Sequence, residues 1–125
     1  MSHITKIELE VKDFETLARA CTRLGMELVA GQKSFKWYGN EDGSCDHAIK
    51  IPQARYEIGV AKTGETYELK CDYYDQAIGK TIGSNGGLLK QAYAVERTKT
   101  EARRKGYTVI EKKAESGIRL HVQIT

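Results

Sequence analysis

Gly83-Ser84-Asn85-Gly86-Gly87 runs straight into the apolar start of a helix at Leu88. Of all the stretches in this sequence, this junction is best suited to chemistry. Glycine-rich backbone can turn several N–H groups toward one point, and the N-terminal end of a helix adds partial positive charge, so the junction suits a phosphate or a carboxylate. Lys80 and Lys90 lie close enough in sequence to add full charges. An ordinary loop in which Ser84 or Asn85 caps the helix accounts for the same residues, and both readings stay open.

Beyond the loop, Lys90, Ala94, Arg97, Glu101 and Arg104 recur at the spacing of one helix face, with Arg103 and Lys105 near its end. Such a row suits phosphates, and Tyr93 beside it offers a ring on which a base can stack. A solvated face whose last-turn cations complement the helix dipole has the same composition, with Glu101 interrupting the row. The expected ligand-binding set is therefore Lys80, Gly83, Ser84, Asn85, Gly86, Gly87, Lys90, Tyr93 and Arg97, for a nucleotide or a nucleic acid.

Other chemistry finds less support. Gly79-Lys80-Thr81 resembles the end of a P-loop, but that motif needs a glycine five residues before Gly79, where Tyr74 stands. No G-x-G-x-x-G follows a strand, so a dinucleotide fold has no support. Cys45 and His47 point the same way on a strand, yet a zinc site needs two further ligands at suitable spacing. His3 and His121 stand alone, and a structural or surface role is assigned to all three histidines. No metal and no cofactor is expected. Nucleophile elbow, nucleophile beside its base and paired carboxylates are not written in the linear sequence, so no catalytic residue is named and the question of an enzyme stays open.

These residues need elements to position them. The 125 residues suffice for one domain, 1–125, that buries roughly two-thirds of its unfolded surface. Three cysteines without a C-x-x-C pair suit reduced thiols with no redox role. The net charge is +3. It is unevenly spread: residues 1–79 hold 10 Lys and Arg against 13 Asp and Glu, residues 80–125 hold 10 against 4. The basic end is the place for an anionic partner, and a charge-rich last helix turn produces the same asymmetry with no partner at all. No window approaches the roughly 18 apolar residues of a membrane span, and the first six residues lack a signal-peptide layout. The expectation is a cytoplasmic protein, or one of the plastid stroma if the source is an alga, without a membrane partner.

Ile7, Leu9 and Val11 alternate with charged residues over 4–11, the period of a half-buried strand. Asp13 then caps a helix carrying Phe14, Leu17, Ala18, Cys21 and Leu24 on one stripe, stopped by Gly25. Ser34-Phe35-Lys36-Trp37-Tyr38 before Gly39-Asn40-Glu41-Asp42-Gly43 predicts a hairpin, with Phe35 and Trp37 toward the core. A short strand follows over 47–52, then a second hairpin pairs 56–61 with 66–71 about Lys62-Thr63-Gly64-Glu65. Residues 72–87 show no regular period. Tyr73 and Tyr74 there can wall a pocket beside the Gly-rich loop. A long helix over 88–105 places Leu88, Ala92, Val95, Lys99 and Ala102 on one face, widened at its start by Leu89, and a closing hairpin turns at Glu115-Ser116-Gly117. The predicted fold class is α+β: a mainly antiparallel twisted sheet with two helices packed on one face, in the order β-α-β(3-5)-α-β-β.

Several of these stretches together resemble an uncharacterised family, that of the thirty-fifth hypothetical chloroplast reading frame with its cyanobacterial, bacterial and phage relatives. The likeness is carried by Met1-Ser2-His3, the helix ending Leu24-Gly25, Tyr56-Glu57-Ile58-Gly59, Lys90-Gln91-Ala92-Tyr93-Ala94-Val95, Glu101-Ala102-Arg103-Arg104-Lys105-Gly106-Tyr107 and Gly117-Ile118-Arg119-Leu120-His121-Val122. The Gly-rich loop and compact size look most like the phage and bacterial branch. The resemblance implies a small α+β domain and supplies no activity, cofactor or catalytic residue.

Three function classes follow: first a non-catalytic binding module for a phosphate-bearing small molecule or nucleic acid, second a protein-interaction or assembly subunit with a protein partner or as a homo-oligomer. A small nucleotide-acting enzyme is third, by analogy alone.

Overall fold

Alternation at the start of the chain builds one edge of a five-stranded sheet. In the computed structural model, which describes residues 4–39, 42–115 and 117–124, β1 spans Thr5–Leu9 and turns Ile7 inward. Met1-Ser2-His3, Asn40-Glu41 and Ser116, used above for the family likeness and two turns, lie outside the described residues. α1 (Phe14–Arg23) is capped as predicted, the Asp13 carboxylate accepting from the Glu15 N–H and Gly25 taking φ +76°. Its buried stripe is Leu17, Ala20 and Cys21, with Phe14, Ala18 and Leu24 only partly covered.

The remaining strands of the large sheet are β2 (Glu27–Val29), β5 (His47–Lys50), β6 (Ile58–Thr63) and β7 (Thr66–Cys71), in the antiparallel order β1-β7-β6-β5-β2. Ile7, Leu69, Val60 and His47 form one row across it, and Ile58, Ile49 and Leu28 another. The apolar members of these rows share one core with Leu17, Ala20 and Cys21 of α1, so the helices lie on that face.

The other face is sealed at its centre by Phe35. β3 (Ser34–Phe35) and β4 (Gly43–Ser44) form the predicted first hairpin as a separate pair. The Phe35 ring lies so close on Gly59 and Gly43 that a Cβ at either position would collide with it. The strand ends at Phe35, so alternation does not carry to Trp37, which is half-buried against Gly39.

Two helices follow β7 rather than one. α2 (Gln76–Ile82) occupies part of the stretch that lacks a period in the sequence. With seven residues it is too short to be stable alone, and it persists by burying Ile78 and Ile82 in the common core. Its signals are local caps: Asp75 accepts from the Ala77 N–H, and Gly83 ends it. α3 (Gly87–Arg104) follows a single 3-10 turn, Ser84–Gly86. Its buried face is Leu89, Ala92, Tyr93, Val95, Glu96 and Ala102, rotated from the predicted one, and Leu88 is exposed. β8 (Thr108–Ala114) and β9 (Gly117–Gln123) form the closing hairpin as a two-stranded sheet of their own. The α+β class holds, with α2 added.

Gly59→Ala is expected to destabilise the fold by about 1–3 kcal/mol through overpacking against Phe35. Gly64→Ala, at φ +64° with open space around it, should cost about 1–2 kcal/mol from backbone strain alone. Urea unfolding of the two variants separates the causes, because only the first is relieved by Phe35→Leu.

Candidate functional site

α3 stands between the edge strand β1 and the β8–β9 hairpin, and a groove of about 650 Å³ opens along it. Lys90, Ala94, Arg97 and Glu101, predicted to share a face, line the groove together. Leu9 and Glu10 at the end of β1, Lys105 and Tyr107 past the helix, and Val122 of β9 complete its walls. A neighbouring cavity of about 460 Å³ shares Tyr93, Arg97 and Glu101 and adds Lys12 and Arg104. Arg97 therefore faces both spaces.

The charges in the groove are not evenly matched. Glu10 pairs with Lys12 and Glu101 with Arg104, each at 3.4 Å. Lys90, Arg97 and Lys105 form no ion pair among the described residues. Tyr93 is 4% exposed. Its hydroxyl accepts the Lys12 backbone N–H at 3.3 Å, so it pins α3 to the chain after β1 and belongs to the core rather than to a stacking surface. Tyr107, half-buried, is the other aromatic side chain of the groove wall.

The Gly-rich loop is organised by Tyr73. The Tyr73 hydroxyl donates to the Gly83 carbonyl at 2.9 Å and accepts from the Gly86 N–H at 2.9 Å. Gly86, not Ser84 or Asn85, is the N-cap of α3; it sits at φ +68° and brings no side-chain cap. A Cβ there would come within 3.0 Å of Ile7, so this glycine serves close packing. Of the nine predicted residues, the groove gathers Lys90, Tyr93 and Arg97 at its edge or floor. Lys80 on α2 and Gly83, Ser84, Asn85, Gly86 and Gly87 lie outside its lining. Sequence reading missed Leu9, Glu10, Tyr107 and Val122, whose only signal is tertiary; Lys105 and Tyr107 flank Gly106 just beyond the basic helix.

Cys45 and His47 are each engaged elsewhere. The Cys45 thiol donates to the Gln32 carbonyl, and His47 Nδ1 accepts the Gly31 N–H at 2.9 Å. Among the described residues no three His, Cys, Asp or Glu side chains cluster to hold a metal. Burial pushes the Cys21 and Cys71 thiols up to about 12, which keeps them protonated and inert. No helix of the described residues is long and apolar enough to cross a membrane.

Residues 20–121 match the family described as Protein of unknown function (DUF1257). The chain also resembles the uncharacterised protein ycf35 of Cyanophora paradoxa, with 28% identity over 127 residues covering 98% of this chain and 97% of that one. Compact size is thus shared with the chloroplast reading frame and does not set the chain apart from it. No solved structure matches the chain. The chain belongs to the DUF1257 family.

The groove's walls are held by an ion cluster. Glu96 is buried on α3, where Arg23 of α1 reaches it at 2.8 Å and Lys99 at 3.8 Å. Arg23 and Lys99 also reach Glu111 of β8, tying the hairpin to both helices. The Arg23 guanidinium hydrogen-bonded to Glu111 holds its carboxyl below the usual range. A depressed folded value means that this contribution is complete above the ordinary carboxylate pKa of about 4.3 and is lost as pH falls through the lower folded one. Arg23→Ala should therefore cost roughly 1–3 kcal/mol at pH 7, the partner-loss penalty reduced for partial exposure. Thermal melts of wild type and variant should converge as the pH is lowered through the depressed Glu111 value.

Proposed function

We propose that this member of the family is a non-catalytic binding module whose ligand carries phosphate, as a small molecule or a nucleic acid, and lies in the groove along α3. One observation carries the reading: Lys90, Arg97 and Lys105 stand in a single groove with no ion-pair partner among the described residues. Cations held apart from carboxylates are available to phosphates, which supply most of the affinity in such complexes. Tyr107 offers a ring face where a base would lie. The uncapped first turn of α3 adds its dipole beside Lys90, and Lys80 with the Gly83–Gly87 loop extends the same positive end. The cytoplasm, or the plastid stroma in an alga, is the matching compartment.

A second reading, a subunit that assembles with itself or with another protein, is favoured by the closing hairpin. Among the described residues its two seven-residue strands pair only with each other, and Ile110 and Val122 on them and Ile124 just past β9 are exposed. Unpaired edges of that length invite another strand. Light scattering decides this reading: a concentration-independent monomer overturns it, and a dimer dissolved by Ile110→Lys supports it.

The first reading is tested by anisotropy titration of labelled oligothymidine and of a labelled nucleotide at low salt. Lys90→Ala, Arg97→Ala and Lys105→Ala should each weaken binding about three- to tenfold and lower the slope of log affinity against log salt by about 1. Wild-type protein that binds neither probe at low salt overturns the proposal.

A further inference from the structure

We propose that Tyr38, Tyr56 and Tyr74, held by Asp72 and Asp75, form a receptor for an organic ammonium cation, independent of the groove. The three tyrosines come from separate segments, and each has its own backbone N–H bound by one of two carboxylates. Asp72 Oδ2 accepts from the Tyr38 N–H at 3.1 Å and Oδ1 from the Tyr74 N–H at 2.9 Å. Asp75 Oδ2 accepts from the N–H groups of Tyr56 and Arg55 at 3.1 and 2.7 Å, while Oδ1 caps α2.

This anchoring holds the backbone beneath two rings that the core does not use, Tyr38 and Tyr74, and one that packs half-buried against it, Tyr56. Tyr38 and Tyr74 are 57% and 64% exposed, with ring centroids 5.0 Å apart and planes tilted by 47°. Tyr56 and Tyr74 line a cavity of about 520 Å³ together with Arg55, Tyr73, Asp75 and Gln76, and Tyr38 stands outside the lining, against the Tyr74 ring. Large side chains presented to solvent on fixed backbone are a preformed surface, and preorganisation lowers the entropic cost of binding.

The sign of the field selects the ligand. Asp72 is 1% exposed and makes no ion pair among the described residues. Among the described residues that line the cavity or hold its tyrosines, Arg55 is the one cation against Asp72 and Asp75, which leaves one net negative charge. Lost hydration, and after it the charge of Asp72 and the neighbouring Tyr74, Tyr38 and Asp75, pushes the Tyr56 phenol above its usual range. On the far side of Tyr56, Lys36 and Lys50 are balanced by Glu27 and Glu57. Aromatic faces over negative potential attract an alkylated ammonium, whose methyl groups also lose apolar surface to the rings. The same field disfavours the phosphates proposed for the groove, and the two sites share no lining residue.

The test compares choline with 3,3-dimethyl-1-butanol, its uncharged isostere, at constant ionic strength, observed through 13C-labelled tyrosine rings. Choline is expected to shift the Tyr38, Tyr56 and Tyr74 signals saturably and to leave Tyr67 and Tyr107 in place. The alcohol should bind about two- to fivefold more weakly. Tyr74→Ala, an exposed truncation that keeps the Tyr93 signal unchanged, should remove the choline response at Tyr38 and Tyr56. Equal binding of the alcohol, no saturable shift with choline, or saturable shifts with adenosine monophosphate in its place would each overturn the proposal.

Discussion

A carboxylate cannot stay buried in the middle of a helix unless cations are brought to it, and Glu96 of α3 imposes that requirement on its surroundings. Arg23 meets it from α1 and Lys99 from α3 itself; both then reach on to Glu111 of β8. One buried charge thus relates two helices and the closing hairpin. The hairpin has little buried apolar surface, its strands being mostly exposed, so these charged contacts matter more to its placement than they would in a packed sheet. The groove beside α3 owes its far wall to that placement.

The sheet is used on both faces, for different ends. On one face the three helices share a continuous core with Ile7, Leu69, Val60, Ile58 and Ile49. On the other, Phe35 presses onto Gly59, where no side chain could be accommodated. Tyr73 links the end of β7 to the turn before α3 by giving one hydrogen bond and receiving another. The glycines of that turn therefore answer to Tyr73 and Ile7 as well as to any anion that approaches the uncapped helix.

Charge separates into two regions of opposite character. Around α3, cations outlast their carboxylate partners and face an open, mainly apolar groove. Around Asp72 and Asp75, carboxylates bound by backbone N–H groups lie beside the exposed Tyr38 and Tyr74 and the half-buried Tyr56. A surplus of acidic residues before residue 80 and of basic ones after it becomes, in three dimensions, two surfaces of different charge.

Local pattern determined much of this fold. β1, the Asp13-capped α1, the hairpin turning at Gly64 and the extent of α3 follow from periods and caps that act over a few residues, so they are legible in the linear order. The cationic row Lys90, Arg97 and its neighbours was legible for the same reason, because helical spacing puts them on one face. α2 was not, since two turns carry too little pattern and its stability comes from burying Ile78 and Ile82 against other elements. Tyr93, read as a ring open to a base, and the charged Glu96 lie inside because Lys12 and Arg23, distant in sequence, satisfy their polar atoms. Only the tertiary structure could join Leu9, Arg97, Tyr107 and Val122 around one groove, or Tyr38, Tyr56 and Tyr74 around two aspartates. Such contacts depend on chain closure over tens of residues, for which spacing along the sequence holds no record.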